Sequence, residues 1–118
     1  MSSSPEKSAA VESVLASIAK GESPQRPALR DAVRELLSRL AADAPGRSVE
    51  VRVPPFGAIQ CLQGPRHTRG TPSNVVEMDP ITFVELASGQ ASWTDAVKDG
   101  RIRASGIRAD ISRLFPIM

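Results

Sequence analysis

The chain predicts an α+β domain: an antiparallel or mixed sheet of four to five strands with helices packed on one face. Three observations carry this. Two helical periodicities lead the chain, alternating apolar segments follow, and residues 101–105 return as a late strand after two further helices. Strands followed by helices, with one strand rejoining, pack as a sheet covered by helices.

Each element has its own signal. Pro5 offers a start to the first helix, in which Val11, Val14, Leu15 and Ile18 share a face before Gly21 ends it. Residues 22–27, ESPQRP, form a breaker-rich hinge. A second helix runs from Pro27 to about residue 44 with Leu29, Val33, Leu36, Leu37 and Leu40 as its apolar stripe. Residues 48–53 alternate, with Val49, Val51 and Val53 inward and Glu50 and Arg52 outward. Pro54-Pro55 forces a turn, and residues 56–63 return as an antiparallel strand. Residues 64–72, GPRHTRGTP, read as a loop, and 74–79 as a third strand.

The C-terminal third is punctuated most clearly. Asp79-Pro80 supplies an N-cap and a preset first helical residue, and Gly89 the exit. Ser92 and Asp95 resemble a capping box for a short helix that Gly100 closes. Gly106 then turns the strand 101–105 into an expected last helix carrying Ile107, Ile111, Leu114 and Phe115.

Composition narrows the function. The chain has 118 residues and a net charge of +2, its 15 cations interspersed with 13 acids. Only three Phe and one Trp bring large rings, too few for a base-stacking platform, so nucleic acid is not an expected partner. One cysteine allows no internal disulfide and fits a reducing compartment. No charged-then-apolar leader and no run approaching ~20 apolar residues is present, so a cytoplasmic protein without an integral membrane segment is expected.

The order of elements resembles sterol carrier proteins, whose domain runs from a helix through an antiparallel meander and a helical crossover to another strand and a closing helix. The pattern Gly89, small helix, Gly100, alternating strand, Gly106 carries the likeness most specifically. Residues 44–61, APGRSVEVRVPPFGAIQC, and 64–72 resemble a bacterial branch of that family. The likeness covers about residues 27–117, so residues 1–26 are expected as a helical extension and hinge ahead of a domain spanning 27–118. The meander is a strand shorter than in the eukaryotic carriers. The resemblance implies a non-enzymatic carrier of lipid or another apolar small molecule, a fatty-acyl or sterol-like chain held between sheet and helices. A similar domain accompanies mycothiol-dependent isomerases, which implies the alternative of an interaction module joining two copies as a homodimer.

Residues that could line an apolar site are Leu36, Leu40, Val51, Phe83, Leu86, Trp93, Ile102, Ile107, Ile111 and Phe115. They serve equally well as ordinary core, and Trp93 could stand at the mouth. Arg66, His67 and Arg69 form the one polar cluster able to present donors to a carboxylate or phosphate head group, although a solvated loop accounts for them too. His67 is the only histidine and no CxxC spacing occurs, so no metal site is expected. Cys61 reads as a packed, inert thiol. With one histidine, no tyrosine and one cysteine that reads as packed, no catalytic residue and no cofactor are expected.

Energetics constrain any cavity. A standing void of ~300 Å³ costs about 7 kcal/mol at ~24 cal/mol per Å³. A domain of this size has only ~5–15 kcal/mol in total. A ligand, a second copy or the helices themselves must therefore fill the space.

Overall fold

A computed structural model of the chain describes residues 7–64 and 74–117. Its elements are α1 (Ala9–Ala19), α2 (Arg26–Asp43), β1 (Val49–Val53), β2 (Gly57–Cys61), β3 (Val75–Met78), α3 (Pro80–Ser88), α4 (Trp93–Lys98), β4 (Ile102–Ser105) and a 3₁₀ turn (Ser112–Leu114). The architecture is α+β, a mixed four-stranded open sheet with helices against one face.

The strand order is β2-β1-β3-β4. β1 pairs antiparallel with β2, Val51 opposite Ile59, and β4 antiparallel with β3, Ala104 opposite Val76. β3 lies parallel to β1, with Val51 opposite Val76. The chain therefore does not continue as a simple antiparallel meander. It crosses to the other side of β1, and Asn74 marks the arrival. The Asn74 side-chain amide donates to the Ser48 carbonyl at 2.9 Å and its oxygen accepts from the Arg108 amide at 2.9 Å. Asn74 is buried, so these two bonds satisfy groups whose isolation would be costly.

The predicted alternation of β1 is realised. Val49, Val51 and Val53 have no exposure, while Glu50 and Arg52 lie on the opposite face and pair with each other. The helical layer lies over the valines: α2 packs on β2 and α3, and α4 on β4. α1, expected as an extension, packs on α2 and α3 and places Val11 and Val14 in the same core. Its cap is Ser8, whose hydroxyl accepts from the Val11 amide at 3.2 Å.

The expected last helix does not form. Gly106 has φ +108°, and the polar groups that follow it find other partners. The Arg108 amide is held by Asn74, and the Asp110 carboxylate accepts from the Ser112 amide at 3.0 Å. Such local side-chain acceptors compete with helical bonding. Residues 109–117 instead run along the core as an irregular strap with one 3₁₀ turn, burying Ala109, Ile111 and Ile117.

Candidate functional site

The strap and the two short helices bring three rings together. α3 is fixed at its start by Asp79, whose carboxylate accepts from the Thr82 amide at 3.1 Å and the Thr82 hydroxyl at 2.6 Å. It ends at Gly89, whose φ of +82° is the left-handed geometry that the C-terminal position favours. That helix delivers Phe83, with no exposure, and Leu86, at 1%. The Ser92 hydroxyl accepts from the Asp95 amide at 3.1 Å, and Trp93 opens α4 immediately after this cap.

Phe115 comes from the strap and joins them. Its ring stands edge-on to Phe83, 6.3 Å between centroids at 90°, and stacks against Trp93 at 6.1 Å and 22°. Trp93, Leu114 and Phe115 are only partly buried. Among the described residues the strap is pinned to α3 by one main-chain bond, the Ile117 amide to the Ala87 carbonyl at 2.8 Å. A buried aromatic floor thus sits under a half-exposed aromatic cover.

Most of the other lining candidates are buried core residues. Leu36, Leu40, Val51, Ile102 and Ile111 share one buried cluster with Phe83 and Leu86, none more than 4% exposed. Ile107 does not belong there: it is 98% exposed, because the helix expected to turn it inward is absent. Sequence reasoning missed Ile117 as part of the strap. Its apolar character so near the C-terminus was the only signal. Arg66, His67 and Arg69 lie outside the described residues.

Two arginines near these elements pair with acids. Arg101 reaches Glu85 at 3.3 Å and Asp99 at 3.6 Å, and Arg103 reaches Glu77 at 2.9 Å. Of these acids, Glu85 comes from α3 and Glu77 from β3. Cys61 is fully buried on β2, and that burial pushes its thiol from 9.0 up to about 11. Among the described residues no three His, Cys, Asp or Glu side chains are grouped to hold a metal ion. No helix among them is long and apolar enough to cross a membrane.

No curated protein matches the chain. A family model described as "Bacterial SCP ortholog" matches residues 25–117, from the head of α2 to the strap. The matched span contains the four described strands, both short helices and the three rings; of the described elements α1 alone lies outside it. The chain therefore belongs to the bacterial sterol carrier protein-like family.

Proposed function

We propose that this protein is a non-enzymatic carrier of an apolar small molecule, a fatty-acyl or sterol-like chain, which it takes up between sheet and helices in the cytoplasm. The observation that carries this reading is the half-exposed Phe115–Trp93 pair closing over the buried Phe83. Family membership supports it, since a sterol carrier-like domain is compatible with an apolar guest. The free, buried Cys61 fits a reducing compartment.

The guest enters by displacing a cover. Lifting the strap at Phe115 breaks one backbone hydrogen bond, worth ~1 kcal/mol net, and an aromatic contact worth ~0.5–1.5 kcal/mol beyond burial. Each buried methylene of an acyl chain returns about 0.8 kcal/mol, so a handful of them offset the opening. No preformed void has to be maintained.

Trp93 is the only tryptophan, so its emission reports the site directly. Titrating delipidated protein with a long-chain fatty acid is expected to shift that emission saturably. A spectrum unchanged up to the solubility limit of the fatty acid contradicts the reading.

A second reading, an interaction module that joins two copies, is favoured by β4. It is an edge strand whose Ala104 lies uncovered, followed by the bare Ile107. Sedimentation equilibrium tests it, and a monomeric mass at high concentration contradicts it.

A further inference from the structure

The turn between β1 and β2 is apolar from end to end: residues 53–59 read VPPFGAI, without one charged or hydrogen-bonding side chain. Within residues 54–58, Pro54, Pro55, Gly57 and Ala58 are exposed and Phe56 alone is drawn in, at 8%. An exposed tip without charge or hydrogen-bonding side chains can enter an apolar or interfacial environment without stranding a polar side chain.

One ridge of α2 flanks the tip with positive charge. Arg26, Arg30 and Arg34 are spaced by four residues, which stacks them along one side of the helix. The Arg26 guanidinium lies 5.1 Å from the centroid of the Phe56 ring, and Arg34 Nε donates to the Phe56 carbonyl at 3.1 Å. Both cations are thereby fastened to the turn itself. Arg30, between them, pairs with Asp31 at 3.0 Å. Among the described residues neither Arg26 nor Arg34 forms an ion pair with a carboxylate. Arg26 also heads α2, where a cation opposes the peptide dipoles, and no acid sits in that first turn. Helix stability therefore does not explain its placement.

We propose that the β1–β2 turn, with Arg26, Arg30 and Arg34, docks this protein on an anionic lipid bilayer. The uncharged tip enters the head-group region while the guanidiniums meet lipid phosphates. Charge complementarity selects this occupant. Nucleic acid fits less well, because the one ring in the patch is already covered by Arg26 and offers no open face for a base. The inference does not depend on what the interior binds.

Co-sedimentation of the full chain with vesicles tests it, comparing phosphatidylcholine alone with phosphatidylcholine–phosphatidylglycerol mixtures at low ionic strength. The protein is expected to pellet with the anionic vesicles, to stay in solution with the neutral ones, and to be released by salt. Each arginine lost is expected to weaken partitioning about fivefold, so R26A/R34A falls about 25-fold while R26K/R34K retains binding. Pro55→Asp keeps all three arginines and is expected to weaken binding as well, with circular dichroism checking that each variant is folded. Wild-type protein remaining in solution with anionic vesicles overturns the proposal. So does partitioning of R26A/R34A and Pro55→Asp equal to wild type, or binding of a single-stranded RNA probe in place of vesicles.

Discussion

Phe115 meets Phe83 edge-on, with ring planes perpendicular and centroids 6.3 Å apart. One ring belongs to a capped helix and has no exposure; the other belongs to an irregular strap and is half-exposed. Edge-to-face packing is a favoured geometry for two rings. The pair joins a capped helix to an irregular strap that is tied to that helix by the Ile117 amide on the Ala87 carbonyl.

The two rings should therefore respond differently to truncation. Phe83→Ala is expected to cost about 3–5 kcal/mol, a large share of the ~5–15 kcal/mol that holds such a domain. Phe115→Ala should cost less, on the order of 1–2 kcal/mol, because part of its surface is already wet. It should also move Trp93 emission to the red as the stacked ring disappears. Urea unfolding curves and emission spectra of both variants check this.

The family match begins at residue 25, yet α1 contributes Val11 and Val14 to the common core. Fully burying two such side chains is worth roughly 1.5–3 kcal/mol each. A fragment of residues 25–118 is accordingly expected to lose about 3–6 kcal/mol and to unfold at lower urea. A fragment as stable as the whole chain would show that α1 is an accessory.

Gly46, between α2 and β1, lies tight against the backbone at Leu62. Its φ is +147°, and a Cβ there would stand 2.0 Å from the Leu62 carbonyl carbon and oxygen. Neither group can yield without breaking the start of the β1–β2 pairing, where the Ser48 amide bonds the Leu62 carbonyl at 3.1 Å. Gly46→Ala is expected to cost on the order of 3 kcal/mol or more and to lower Tm by roughly 10 °C or more.

Burial raises the Cys61 thiol from 9.0 to about 11. In the unfolded chain the thiol gives up its proton near its ordinary value, while the folded state retains it. As pH climbs from about 9 to about 11 the unfolded state binds fewer protons, and stability falls through that window. Below it this group contributes no pH dependence. Iodoacetamide should accordingly leave Cys61 unmodified in folded protein at pH 8 and alkylate it fully in urea, as mass spectrometry can read.

Local signals were legible wherever a residue's role was satisfied nearby. The valine alternation of β1, the Asp79 and Ser92 caps and the Gly89 exit all act within a few residues, and the structure realises each. The strap was not legible, because a distant residue dictates it. Ile107, Ile111 and Leu114 have helical spacing, but Asn74 holds the Arg108 amide from 34 residues away. The same long-range tie accompanies the crossing of β3 to the far side of β1. Of the site, the rings Phe83, Trp93 and Phe115 were identifiable as apolar candidates, while their mutual contact depends on a strap whose path no periodicity describes.

Isotope-edited NMR of delipidated protein with a ¹³C-labelled fatty acid asks most directly whether a greasy chain lodges beneath the aromatic cover. Intermolecular NOEs from the acyl methylenes to Phe83, Leu86 and Ile111, with Phe115 displaced from its edge-on position, are the predicted result. Unperturbed core resonances at saturating fatty acid would contradict it.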